Sequence, residues 1–154
     1  MELRIVQIEE DILIGGLSID STGEEEDNNK KRELLFNNFT NNGQKGMLNN
    51  ITKNNSEYYI VTWLTSPAIR YLLGQKVNEK TDGLEFKLIK KGEYATKKIP
   101  PKSDSYSAWM EFYEKDIVGA GCRPLGQSEG DIAFEYYPNG LDGEYELWVL
   151  VEKG

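Results

Sequence analysis

The sequence predicts an α+β fold of two βαββ units related by a pseudo-twofold axis, with antiparallel sheets, helices on the outer faces and a central ligand groove. Three observations lead there. Alternating or β-branched apolar runs bounded by Gly, Asn and Pro mark strands. One stretch in each half carries apolar residues at helical spacing. The order strand, helix, strand, strand occurs in residues 1–80 and again in 84–154, as an internal duplication leaves it. At 154 residues the whole chain fits a single domain.

"LRIVQIEEDILIGGLSI" (3–19) reads as two strand runs with a polar break at Glu9–Asp11. Its Gly15–Gly16 pair, inside a strand run, marks a bulge or a close backbone approach. "STGEEEDNNKK" (21–31) reads as a solvated loop leading into a helix, because carboxylates favour a helix N-terminus; a cation site is the weaker alternative. "ELLFNNFT" (33–40) puts Leu35, Phe36 and Phe39 at helical spacing. Residues 41–57, rich in Asn and Gly, read as loop. "YYIVTWLT" (58–65) is a strand by its β-branched and aromatic content, ended by Pro67. "RYLLGQKV" (70–77) is the next strand.

The second half repeats the order. "LEFKLIKKGEYATKKI" (84–99) is strand with a turn at Gly92. A helix starting at Ser103, Asp104 or Ser105 carries Trp109, Phe112 and Tyr113 on one face. "DIAFEYYP" is a strand, "NGLDG" a turn and "EYELWVLVE" (144–152) the closing strand. A shift of 74 aligns Tyr59, Val61 and Trp63 with Ala133, Glu135 and Tyr137. It also aligns Tyr71 with Tyr145, Val77 with Val151, and Leu35 and Phe39 with Trp109 and Tyr113. Alternation then sets Ile60 and Phe134 under the helices, with Trp63, Glu135 and Tyr137 facing a groove between the units.

Composition narrows the function. A formal charge of −8 disfavours direct nucleic-acid binding, which needs a basic face. The absence of His removes the commonest general base and metal ligand; no metal and no cofactor are expected. Cys122 is the sole cysteine, read as a packing residue, so no intramolecular disulfide forms and a reducing, cytoplasmic setting is expected. No signal peptide or membrane span is visible. With 9 Tyr and 3 Trp against 5 Phe, aromatics with polar handles dominate, as at surfaces that bind something.

Glu135, flanked by aromatics in "AFEYY", is the chemical question. In water it would be an ordinary strand residue. In a groove it would be the charged centre of an aromatic pocket, where a ligand cation relieves the cost of burying it. Trp63, Tyr71, Tyr137 and Tyr145 are the aromatics expected around it, each equally readable as core. Tyr59 and Trp109 are further candidates that lean towards core. Trp148 is expected under a helix and Glu146 at an exposed strand end.

The duplicated pattern, "LEFKLIKKGEYATKKI", the helix around "WMEFYEKD", "IAFEYYP" and the terminal "GEYELWVLV" together resemble the GyrI-like small-molecule-binding domain, the effector module of multidrug-responsive transcription regulators. The resemblance covers essentially the whole chain and rests on order and pattern, without strict signature motifs. It implies a pocket for lipophilic, cationic drug-like molecules, with Glu135 at the family's central glutamate and Tyr145 at its pocket tyrosine. With Val61 where the second repeat has Glu135, one central carboxylate is expected. No helix-turn-helix segment is visible, so the stand-alone form is expected. That form includes drug-sequestering proteins and hydrolases of cyclopropane-bearing genotoxins. The alternative reading is therefore a hydrolase with Glu135 as general base and Tyr145 polarising the substrate. A third is a module whose groove takes a peptide from a protein partner.

Overall fold

A computed structural model describes every residue except 1–2, 23, 42–56, 65–67, 81, 102–103, 125–131, 142 and 154. In chain order the elements are β1 (Arg4–Ile8), β2 (Ile12–Ser21), α1 (Glu25–Asn41), β3 (Tyr58–Leu64), β4 (Ile69–Lys76), β5 (Glu85–Ile89) and β6 (Gly92–Ile99). Then come α2 (Ser105–Glu111), a π-helical continuation (Phe112–Ile117), β7 (Cys122–Pro124), β8 (Ile132–Tyr137) and β9 (Tyr145–Lys153). The break at Glu9–Asp11 lies where the sequence places it. There Asp11 accepts the Lys91 N–H at 2.7 Å. The helix-start option Ser103, the strand stop Pro67 and nearly all of the 41–57 loop lie outside the described residues.

α1 begins earlier than its apolar stripe suggests. Glu25, Glu26 and Asp27 form its first turn, where carboxylates meet the positive end of the helix. Asp27 turns back to accept the Thr22 backbone N–H at 2.8 Å, and that bond leads in holding its carboxyl below the usual range. The acidic run is thus a helix start.

The strand order β1-β6-β9-β8-β3-β4-β2-β5 contains the duplication directly. β2, β3 and β4 around α1 form one unit, and β6, β8 and β9 around α2 the other. The units do not face each other as separate sheets. They join edge to edge through β3 and β8, with Ile60 directly opposite Glu135. β1 pairs with β6, and β5 with β2. The segments around the break at Glu9–Asp11 thereby run as one interrupted ladder linking the outer edges of the two units.

The single sheet corrects the expected facing of the strands. Cross-strand partners share a face, so Glu135 lies on the same face as Ile60. Leu35 and Phe39 of α1 and Phe112 and Ile117 of the second helical segment pack there, on Ile60, Leu73, Leu147 and Val149. Phe134 and Val61 lie on the opposite face with Ile14, Leu72, Ile89 and Tyr94. Phe134 therefore does not sit under a helix, and neither does Trp148, which stacks on it at 5.5 Å. Glu146 is not an exposed strand end. It accepts the Trp148 indole N–H at 3.0 Å and faces Arg4 at 3.6 Å.

The internal alignment needs the same correction. Ile60 pairs with Leu73 and Glu135 with Leu147, and the two leucines keep the spacing of 74. The counterpart of Glu135 is therefore Ile60, its own cross-strand partner, and not Val61. One residue of slip exchanges the faces of a strand. Gly16 stands opposite Gly74. A Cβ on either would come within 1.9 Å of a backbone oxygen, so this is the close backbone approach that the glycine pair implied.

Candidate functional site

The site forms where the joined edges of the two units meet the two helices. β8 presents Glu135 and Tyr137 to the helix face. α1 lies on the same face, with Arg32, Leu35, Phe36 and Phe39 at i, i+3, i+4 and i+7, one stripe of the helix. The apolar members anchor the stripe, and Arg32 continues it over β8.

Glu135 is fully buried. Arg32 binds it with both guanidinium ends, Nη1 to Oε2 at 2.8 Å and Nη2 to Oε1 at 3.0 Å. The Trp109 indole N–H donates to Oε2 at 2.8 Å, and the Tyr137 hydroxyl donates to Oε1 at 2.6 Å. Arg32 Nη2 also donates to the Tyr137 oxygen at 3.1 Å. A two-pronged Arg–carboxylate contact is among the stronger polar interactions available to a protein. Burial works against the charge on Arg32, but Glu135 and Tyr137 beside it more than offset this and raise its pKa. Burial, then the adjacent carboxylate, pushes the Tyr137 hydroxyl pKa well up, so it remains a donor at neutral pH.

A cavity of about 410 Å3 opens between the helices above the sheet, within the size range of small-molecule sites. Tyr71, Tyr106, Trp109, Met110 and Tyr113 contribute to its walls, Asn28, Asn29 and Arg32 to the α1 side, and Glu135 to its floor. Burial pushes the Tyr71 hydroxyl up to about 12 and Tyr113 higher still. α2 buries none of its own seven residues. The Trp109 contact with Glu135 and the buried Phe112 and Ile117 of the π-helical continuation tie this helix to the sheet; the Trp109–Tyr113 ring stack at 5.7 Å runs along the helix itself.

Of the residues singled out by sequence, the structure brings Glu135, Tyr71 and Trp109 to the cavity. Tyr137 stands beside Glu135 beneath it. Tyr145 lies one layer further back, stacked on Tyr137 at 4.9 Å, and its buried hydroxyl has no partner among the described residues. Trp63 borders the cavity, but its ring packs with the opposite cluster under Lys87, whose Nζ is 4.7 Å from the ring centre. Tyr59 is on the other face altogether, against Phe134 and Tyr136. Strand parity separates both rings from Glu135. Arg32, Tyr106, Met110 and Tyr113 went unassigned as site residues. The signal for Arg32 was present in its spacing from Leu35, Phe36 and Phe39.

Among the described residues no group of three His, Cys, Asp or Glu side chains could hold a metal ion. No helix among them is long and apolar enough to cross a membrane.

No protein-family profile and no curated protein matches the chain. Solved structures do. The structure of SAV2435 bound to tetraphenylphosphonium is similar over 99% of this chain and 94% of its own, with a TM-score of 0.78 at 10% identity. The C-terminal domain of EcmrR is similar over 99% of this chain and 98% of its own, with a TM-score of 0.61 at 11% identity. A hydrolase from Listeria innocua follows, over 98% of this chain and 92% of its own, with a TM-score of 0.51 at 13% identity. At such identities the likeness gives the fold: the chain has the α+β GyrI-like effector-binding fold that these structures share.

Proposed function

We propose that this chain binds lipophilic small molecules in the cavity between its two helices, and that Glu135 favours ligands carrying a positive charge. One observation carries the reading: a wholly buried carboxylate on the floor of a cavity walled by tyrosine and tryptophan rings. A buried carboxylate needs a positive partner. Aromatic faces attract a cation by about 0.5–2 kcal/mol each without fixing its outline. The tetraphenylphosphonium bound to SAV2435, which shares the fold, supports the same ligand class here.

Hydrolysis is the weaker reading. The Glu135 oxygens already accept two bonds from Arg32, one from Trp109 and one from Tyr137. Taking a proton from water would first require one of these donors to leave.

Calorimetric titration with tetraphenylphosphonium, and with neutral triphenylphosphine oxide beside it, tests the binding reading. Glu135→Gln keeps the shape and removes the charge. Cation affinity should fall at least about tenfold, or about 1.4 kcal/mol, while the neutral probe should change little. Failure of the native chain to bind the cation, or an equal loss for both probes, would refute it.

A further inference from the structure

The reading above leaves a conflict: the carboxylate that would select a cation already holds one. We propose that Arg32 is the specificity-determining residue of the site, an internal cation that occupies Glu135 in the empty cavity and that a charged ligand must displace. This rests on the cavity being the ligand site and goes beyond that assignment.

The two partners are not equally free to leave. The Glu135 side chain is 1% exposed and sits on a central strand, whereas Arg32 is 14% exposed and lines the cavity from α1. A guanidinium on a long, flexible stem can swing towards water at modest cost; the carboxylate cannot. The Phe36 ring, 5.6 Å from the guanidinium carbon, offers the cation a face on the same helix.

With the pair intact, the floor is electrically neutral. A neutral aromatic ligand can then settle on Tyr71, Trp109 and Tyr113 with nothing to break. A cation gains from Glu135 only after Arg32 moves, so its apparent affinity is reduced by the fraction of molecules in which the carboxylate is free. Small hydrated cations, which gain little from aromatic walls, cannot repay that displacement. Lipophilic cations, which stack on those walls, can. Arg32 thus sets a threshold that excludes the abundant inorganic cations from a buried carboxylate.

The test follows the guanidinium in the native chain labelled with 15N-arginine. Forked pairing should give slowly exchanging, separately resolved Nη protons for Arg32. Saturating tetraphenylphosphonium should abolish that signature, and saturating triphenylphosphine oxide should leave it. In titrations, Arg32→Met should raise cation affinity at least about tenfold, the share withheld by the closed pair, and should not raise affinity for the neutral probe, which would then cover an unpaired carboxylate. Should that variant fail to fold, the native-chain spectra decide alone. An Arg32 signature that persists in the cation-saturated chain overturns the proposal, as does a folded Arg32→Met whose cation affinity is unchanged or lower. If the native chain still loses cation affinity on Glu135→Gln, the binding reading survives that outcome and only the role of Arg32 falls. If the native chain binds neither probe, both fall.

Discussion

Where the two βαββ units meet, Ile60 of the first faces Glu135 of the second, and the two are counterparts in the duplication. The pseudo-twofold axis passes between them. An apolar residue on both sides would extend the core seen around Leu73 and Leu147. A carboxylate on one side turns the axis into a polar focus that both helices can reach, because both lie on that face. The first unit answers with a cation, Arg32, and the second with a neutral donor, Trp109. The duplicated backbone supplies the position, and the chemistry lies in two departures from symmetry: glutamate in place of isoleucine at the axis, and an arginine reaching it from one helix where a tryptophan reaches it from the other. A further departure concerns packing. Gly16 opposite Gly74 in the first unit corresponds to Thr96 opposite Trp148 in the second.

Restoring symmetry at the axis should have the largest effect. Arg32→Met alone strands a buried carboxylate and should lower the unfolding free energy by about 3–5 kcal/mol. Adding Glu135→Leu, which makes the axis apolar on both sides, should recover about 2 kcal/mol of that through coupling of the pair. Urea denaturation of the two variants reads both numbers. A single-variant cost below about 1 kcal/mol, the scale of a surface ion pair, would show that the pair does not hold the units together.

Much of this arrangement was legible in the sequence, and the illegible part has a physical cause. The strands, the break at Glu9–Asp11 and the twofold repetition follow from local pattern. The faces do not. Val61 and Ile60 are both buried, as are Phe134 and Glu135, so β3 and β8 give no polar-out alternation to fix their parity. The one-residue slip between Ile60 and Glu135 on one side and Leu73 and Leu147 on the other leaves no trace in such strands. The sheet consequently separates Tyr59 from the carboxylate beside which the pattern places it, while Trp63 borders the cavity but packs its ring on the opposite cluster. Arg32 was hidden differently. Its spacing places it on the buried stripe of α1, but arginine ordinarily marks a solvated face. Only the buried carboxylate across from it explains its position.

The close approach of Gly16 to Gly74 separates the two units in packing. Gly16→Ala drives a Cβ into the Leu73 carbonyl, and the backbone cannot yield without opening the β2–β4 ladder. The cost should be about 1–3 kcal/mol, the range for overpacking. Thr96→Ala, at the corresponding position of the second unit, removes one buried methyl group and a hydroxyl, and should cost about 1 kcal/mol or less. Thermal unfolding of the two variants should rank them in that order. If Gly16→Ala unfolds no earlier than Thr96→Ala, the close approach is not a constraint on the fold.

The smallest effect should run in the opposite direction. The Thr96 hydroxyl is fully buried and has no hydrogen-bond partner among the described residues. Its counterpart Gly16 has no side chain, so the duplication does not require a polar group there. A buried hydroxyl without a partner forfeits its hydration and gains nothing in return. Thr96→Val keeps the β-branched shape and the χ1 preference that suit a strand, and it exchanges only the hydroxyl for a methyl group. Relief of the desolvation cost should stabilise the chain by about 1 kcal/mol. For a domain of this size that is a rise in Tm of about 2–4 °C. The change lies away from Glu135 and Arg32, so it should add to the effect of the axis variants without coupling to them. A loss of stability would mean that the hydroxyl is bonded in solution, through a water bridging it to a neighbouring strand. The second unit would then carry a polar packing contact that the first unit, with glycine in its place, has no means to make.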